Sequence, residues 1–151
     1  AALALPGGVW AAGVGVSDVV QLTEANHDGL VLGGDHGPWL INFCKPKHAL
    51  CEHMADTWEK VAHDLVGQVH VAYVDVTKEP GFRRRYDFMA VPMQYLVVDG
   101  QARRYRDKHH RAKDFVAFAL GGYLSARTIP LDIASRSFDP PPPAPEVYDE
   151  L

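Results

Sequence analysis

Cysteine is scarce in this chain of 151 residues, which contains only Cys44 and Cys51. Two cysteines are too few for a small secreted domain held together by several disulfides, and a chain of this length can build one hydrophobic core without them. Long apolar runs are also missing. The first sixteen residues carry no charge, but a proline and four glycines make them a poor membrane-spanning helix. We predict no transmembrane helix in this chain.

An excess of positive charge is lacking as well. The formal net charge is -4, and both signs are interspersed along the sequence, which argues against nucleic acid as a partner. The run Arg83 to Arg85 predicts the exposed face of a short helix. The alternative is a basic surface for an acidic protein or anionic lipid, which would also draw on Arg103, Arg104, Arg106, Lys108 and Arg111.

Apolar periodicity predicts strands that alternate with helices. The strands are VVQL, PWLINF, HVAYVDV, MQYLVV and QARRYR, and the turn Asp99-Gly100 joins the last two as a hairpin. One helix begins at Thr23 and ends at the paired Gly33 and Gly34. The others cover EPGFRRRYDF, AKDFVAFALGGYL and the segment from Ala49, whose apolar stripe comprises Leu50, Met54, Trp58, Val61 and Leu65.

These segments predict one domain with two flanking regions. We assign residues 1–17 to an apolar arm, 18–125 to the domain and 126–151 to a tail. The tail contains four consecutive prolines, which favour a polyproline II spacer and exclude a helix or a central strand. Both flanking regions are candidate segments for contacts with other proteins.

The element order and several local motifs resemble the thioredoxin fold. The motifs are PWLINF, HALC, TWEKVA, VAYVDVTKEPG, AVP, DGQARRYR and KDFVAF. The pattern is most similar to the thioredoxin-like domains of the protein disulfide isomerase family, especially the thioredoxin-related transmembrane proteins. The resemblance implies an α/β fold with a central mixed sheet, in which parallel strands are followed by a C-terminal antiparallel hairpin and helices cover both faces.

The same resemblance implies that the redox site is degenerate. His48 stands where the family has the attacking first cysteine of its C-x-x-C motif, and Cys51 matches the second cysteine. Asn42 replaces a buried carboxylate that moves protons, and Lys47 replaces a tryptophan. An imidazole cannot form a mixed disulfide, so we expect no catalytic residues and no dithiol exchange.

Pro92 matches the family's cis-proline, which presents a backbone edge to extended peptides. We therefore expect Val91 and Pro92 to form a peptide-binding edge, which would act by strand addition.

Other interpretations of the cysteines remain open. His48 and Cys51 could form a nucleophile pair, although the start of a helix disfavours the imidazolium that such a pair needs. Cys44 is interpreted as a small buried hydrophobe, and Cys51 as a packed neutral thiol. A Cys44–Cys51 disulfide is the alternative, which requires the turn to bring their Cα atoms within bridging range. We predict no metal and no cofactor, because His53 faces away from Cys51.

The hypothesis from sequence is a redox-inactive binding or structural module, serving other proteins as an accessory subunit of a larger membrane or organelle assembly. The rival is a single-cysteine member of the disulfide isomerase family with weak thiol exchange or chaperone activity through Cys51. The final residues, Tyr148 to Leu151, resemble a K-D-E-L retrieval signal. They favour the endoplasmic reticulum lumen or secretory pathway, with the mitochondrion as the alternative.

Overall fold

The computed structural model describes residues 17–33 and 37–131. Nearly all of the predicted arm and most of the predicted tail, including the four prolines and the last four residues, lie outside the described residues. The domain bounds drawn from sequence therefore stay predictions.

The described residues form six strands and three α-helices. The strands are β1 (Val19–Gln21), β2 (Trp39–Cys44), β3 (His70–Asp75), β4 (Met93–Val98), β5 (Gln101–Arg104) and β6 (Thr128–Pro130). The α-helices are α1 (Ala49–Asp64), α2 (Gly81–Tyr86) and α3 (Ala112–Leu120). A π-helix covers Asp28–Leu32, and a 3-10 helix covers Gly122–Ser125.

All six strands belong to one mixed sheet in the order β1-β3-β2-β4-β5-β6. β3 pairs in parallel with β1 and β2, and β4 pairs antiparallel with β2 and β5. The α1 and α3 side chains cover one face of the sheet, and Phe82 and Tyr86 of α2 pack on the other. The predicted α/β thioredoxin fold with a mixed sheet, a C-terminal hairpin and helices on both faces is confirmed.

The first crossover begins at Thr23 as predicted, but most of it is not a regular α-helix. The Thr23 N–H donates to Asn26 Oδ1 at 2.8 Å, and the Asn26 N–H donates to Thr23 Oγ1 at 3.1 Å. This reciprocal pair has the geometry of a capping box, and the His27 N–H donates to Thr23 O at 3.0 Å as in a first helical turn. From Asp28 to Leu32 the segment is a π-helix.

Strand β6 was not predicted, and it lies within the segment assigned to the tail. It pairs antiparallel with β5, where Ala102 opposes Ile129. The Leu131 N–H then donates to Gly100 O at 3.0 Å, and the Leu131 side chain is buried. Three residues are too short for a period-2 pattern to stand out, so only the edge of β5 shows that a strand belongs there.

Two side chains were placed wrongly from the sequence. Leu50, assigned to the buried stripe of α1, is 40% exposed, while Met54, Trp58, Val61 and Leu65 are buried as predicted. Arg85, assigned to an exposed face, is fully buried, although Arg83 and Arg84 are exposed. The basic-surface alternative also loses Arg103, whose guanidinium donates to the carbonyls of Tyr123, Leu124 and Ala126.

Candidate functional site

The end of β2 and the first turn of α1 bring the two cysteines together in a disulfide. Side chains alternate along a strand, so Leu40, Asn42 and Cys44 share the face of β2 that α1 covers. Cys51 is the third residue of α1 and lies on the same buried side as Met54 and Trp58. The Cα atoms of Cys44 and Cys51 are 5.8 Å apart, which is within bridging range, and the two residues form a disulfide across a separation of seven.

This disulfide corrects the interpretation of the two cysteines as separate packed groups. The resemblance placed the partner of Cys51 at position 48, which holds a histidine, so we favoured an unpartnered Cys51 over the Cys44–Cys51 alternative. No cysteine within residues 17–33 and 37–131 is free. The disulfide that the sequence left open is the pairing that forms.

The turn between β2 and α1 sets the start of the helix. Lys45, Pro46 and Lys47 are exposed, and Lys47 has a φ of 68°, in the left-handed region. His48 is extended and acts as the N-cap residue, and its carbonyl accepts the Glu52 N–H at 2.9 Å. His48 is half-buried, and its buried Nδ1 has no hydrogen-bond partner.

Two buried amide side chains lie beside the disulfide. Asn42 and Gln94 oppose each other across β2 and β4, and each is only 2% exposed. Gln94 Nε2 donates to Asn42 Oδ1 at 2.9 Å, and it also lies 3.9 Å from Met54 Sδ. Asn42 Oδ1 is 3.6 Å from Cys44 Sγ. The position where the resemblance implies a carboxylate thus holds an amide bonded to a second amide.

A cavity of about 560 Å³ opens next to Cys51, between α1 and the β1–β3 side of the sheet. Cys51 and Asn42 line it, and so do Lys45, Lys47 and Trp58, whereas Cys44 does not. Cys51 is 8% exposed and Cys44 is fully buried. A reactant that enters this cavity therefore reaches the sulfur of Cys51 and not that of Cys44.

The Val91–Pro92 peptide bond is cis, as the motif predicted. Both residues are half-buried and precede β4. Neither lines the cavity beside Cys51. Their use as a peptide-binding edge stays a prediction.

The described part of the chain contains no group of three or more His, Cys, Asp or Glu side chains placed to hold a metal ion. None of its helices has the length and apolar character needed to cross a bilayer.

Sequence reasoning missed Gln94 as a member of the site and gave Cys44 only as an alternative partner for Cys51. The signal for Cys44 was present: the period of β2 puts it on the face of Asn42, toward the helix that carries Cys51. Gln94 had no such signal, because its contact with Asn42 depends on the register between two strands that are distant in sequence.

Comparison with known proteins gave consistent results. The thioredoxin family model matches residues 18–119. "Thioredoxin-related transmembrane protein 1" of Bos taurus is 38% identical over 119 residues, covering 77% of this chain and 40% of that protein. A "Thioredoxin domain-containing protein" of Theileria parva is 32% identical over 116 residues, covering 75% and 53%. The "Protein disulfide-isomerase A6 homolog" of Drosophila melanogaster is 32% identical over 112 residues, covering 72% and 26%. The chain spans about half of these relatives or less.

Solved structures show the same architecture. The first thioredoxin domain of mouse protein disulfide-isomerase A4 superposes with a TM-score of 0.63 at 23% identity, covering 89% of this chain and 86% of that one. The J-Trx1 fragment of ERdj5 also gives a TM-score of 0.63, at 22% identity, and covers 72% and 51%. At this level of identity the likeness concerns the fold.

Proposed function

Because the chain belongs to the thioredoxin family, we propose that it is a thiol-disulfide oxidoreductase that works through Cys44 and Cys51. The observation that carries this proposal is the disulfide between them, with Cys51 opening on a cavity. Our hypothesis of a redox-inactive module is wrong on this point, since it assumed that Cys51 had no sulfur partner. We retain the rival hypothesis that Cys51 exchanges thiols with substrate, and we add Cys44 as the sulfur partner of Cys51.

The exchange proceeds in two steps. A substrate thiolate attacks Cys51 Sγ, the Cys44–Cys51 bond breaks, and Cys44 leaves with the electron pair and then takes up a proton. A second thiolate of the substrate attacks the substrate sulfur in this mixed disulfide and releases Cys51 as a thiolate. The substrate dithiol is oxidised by two electrons, and the protein disulfide is reduced by the same two. The reverse sequence reduces a substrate disulfide.

Two features favour Cys51 as the sulfur that exchanges with substrate. Cys51 borders the cavity, while Cys44 lies beneath it at the end of β2. Cys51 is also in the first turn of α1, where unpaired backbone N–H groups and the helix dipole stabilise a thiolate. Cys44 has neither advantage, so it resolves the mixed disulfide rather than forming it.

Protein thiols and disulfides are the proposed substrates. The related proteins include disulfide isomerases by name, and the chain matches them over the part that contains the site. An extended client segment could add to the edge at Val91 and Pro92. We place the activity in the endoplasmic reticulum lumen or secretory pathway, where disulfides persist. The comparisons offer no support for the mitochondrial alternative.

Single substitutions of the two cysteines test this function. With a dithiol peptide as substrate, wild-type protein should oxidise the peptide and become reduced. The single-cysteine variants carry no disulfide, so they are given the peptide in its disulfide form. Cys44→Ser should accumulate a mixed disulfide in which Cys51 is bonded to one peptide sulfur and the other peptide sulfur is released as a thiolate, because no second protein sulfur can displace the peptide. Cys51→Ser should form no such species, because Cys44 is fully buried. Mass spectrometry after acid quenching measures each species.

An exposed residue of the same helix provides the control. Asp56 lies on α1 and does not line the cavity, so Asp56→Ala leaves both sulfurs and the cavity in place and should keep the exchange. The proposal fails if native wild-type protein exchanges no disulfide with the dithiol peptide, or if Cys51→Ser forms a mixed disulfide with the disulfide peptide as fast as Cys44→Ser does.

A further inference from the structure

We propose that Asn42 and Gln94 are positioning residues for the Cys44 thiol. In the reduced protein, the Cys44 S–H donates a hydrogen bond to Asn42 Oδ1, and Gln94 holds this oxygen in place. The pair thereby stabilises the dithiol relative to the disulfide and makes Cys44 the sulfur that keeps its proton. This inference rests on the proposed function.

The geometry for this hydrogen bond already exists in the disulfide form. Asn42 Oδ1 lies 3.6 Å from Cys44 Sγ, a separation suited to a sulfur donor and an oxygen acceptor. Both side chains project from β2 toward α1, two residues apart. Asn42 sits in the middle of the sheet, with Tyr73 opposite on β3 and Gln94 opposite on β4. Its backbone therefore has little freedom to move when the sulfurs separate.

Gln94 determines which end of the Asn42 amide faces Cys44. Its Nε2 donates to Asn42 Oδ1 at 2.9 Å, so the Asn42 oxygen is turned toward the donor groups. A carbonyl oxygen accepts two hydrogen bonds. The same oxygen can accept from Gln94 and from Cys44 together.

Burial explains why Cys44 needs such a partner. The residue is fully buried, and a buried thiolate without a counter-charge would be costly. Reduction of the disulfide by two thiol molecules transfers two electrons to the protein and makes two protons available. Cys51 remains a thiolate at the helix start and its proton goes to solvent, whereas Cys44 takes up the other proton and would be an unsatisfied donor without Asn42.

Asn42 also lines the cavity that reaches Cys51. Asn42 therefore connects the buried sulfur of Cys44 with the cavity from which a reactant contacts Cys51. An amide cannot take up a proton, so Asn42 orients the thiol without acting as its base.

The test is the equilibrium between the disulfide and dithiol forms of the full chain in glutathione redox buffers. Asn42→Val removes the acceptor at similar size. It should shift the equilibrium about five-fold toward the disulfide, as expected for loss of one net hydrogen bond, which is about 20 mV toward a more reducing potential. Gln94→Met keeps the length of the side chain and removes the donor, so it should shift the equilibrium in the same direction by a smaller factor.

Leu40→Val is the matched control. Leu40 is fully buried on the same strand face, two residues before Asn42, so this variant disturbs packing without touching the hydrogen bond. It should lower the free energy of unfolding and leave the glutathione equilibrium within about two-fold of wild type, since packing at this site does not distinguish the two redox forms. If Asn42→Val does not fold, the glutathione equilibrium of Gln94→Met alone tests the positioning role.

The outcomes separate this inference from the proposed function. A wild-type disulfide that does not exchange with glutathione in the native state overturns both. Normal wild-type exchange with unchanged equilibria in Asn42→Val and Gln94→Met, or with an equal shift in Leu40→Val, overturns only the positioning role.

Discussion

Arg85 is a buried cation, and its position in a run of three arginines did not predict its burial or its contacts. Its Nη2 lies 3.0 Å from Asp28 Oδ1 and donates to Leu131 O at 3.1 Å. Asp28 also contacts His27 Nδ1 at 2.7 Å. Burial lowers the pKa of His27 to about 4, so its ring is neutral at neutral pH, and its Nε2 lies 2.6 Å from the Tyr86 hydroxyl. These contacts connect the π-helix, α2 and the residue after β6.

Substitution of Asp28 should therefore be costly. Asp28→Ala removes the carboxylate beside a guanidinium that is fully buried, and we expect the free energy of unfolding to fall by about 2 kcal/mol, as for the loss of a charged hydrogen bond, since the Asp28 side chain is 37% exposed and Arg85 keeps its bond to Leu131 O. Urea denaturation followed by circular dichroism measures it. Asp64→Ala is the control, because Asp64 pairs with exposed Lys60 one helical turn away, and such surface pairs contribute about 0.5 kcal/mol or less. Equal losses in the two variants would show that the Arg85 contact contributes little.

At the scale of elements, β6 completes the sheet from outside the matched family region. The family model ends at residue 119, whereas β6 pairs with β5 over Thr128–Pro130. The residue that follows, Leu131, is buried in the core beside Ala102 and Tyr86. β6 thus covers one edge of the sheet and closes the core on the side of α2.

Truncation measures the contribution of β6. A chain ending at residue 127 should be less stable than one ending at 131 by about 3 kcal/mol, because it loses the burial of Leu131 and the hydrogen bonds of the strand. Thermal unfolding of the two truncated chains gives the difference. Equal stability would mean that the sheet is complete at β5.

Across the whole molecule, the disulfide links the redox state to the stability of the fold. It closes a loop between a central strand and the helix that covers it, with a sequence separation of seven. A cross-link that closes a loop of this size lowers the entropy of the unfolded chain, which raises the free energy of the unfolded state by about 2 kcal/mol at 25 °C. Any reductant that opens the bond therefore acts on the stability of the whole domain.

Reduction should consequently lower the free energy of unfolding of wild-type protein by about 2 kcal/mol. A dithiol reductant and guanidinium titrations measure the change. The double variant Cys44→Ala/Cys51→Ala should also have a lower free energy of unfolding than the oxidised wild type. The reductant should not change its stability further. A response in the double variant, or none in wild type, would contradict this expectation.

Much of the fold followed from local pattern. The period of four and three residues located α1 from Ala49, the continuous apolar runs located β2 and β3, and Asp99-Gly100 located the hairpin. One element and one side chain escaped this reasoning. β6 depends on the open edge of β5, and the burial of Arg85 depends on a carboxylate 57 residues away.

The sequence by itself determined the order of most strands and helices, because apolar periodicity and turn residues are local properties that each segment carries, and the resemblance of its motifs to a known family implied the thioredoxin fold. It also determined that no C-x-x-C pair is present. Only the tertiary structure decided that Cys44 and Cys51 meet, since their contact requires the strand period, the turn at Lys47 and the packing of α1 on β2 at the same time. The amide pair beside them was likewise decided by strand register, which no single segment specifies.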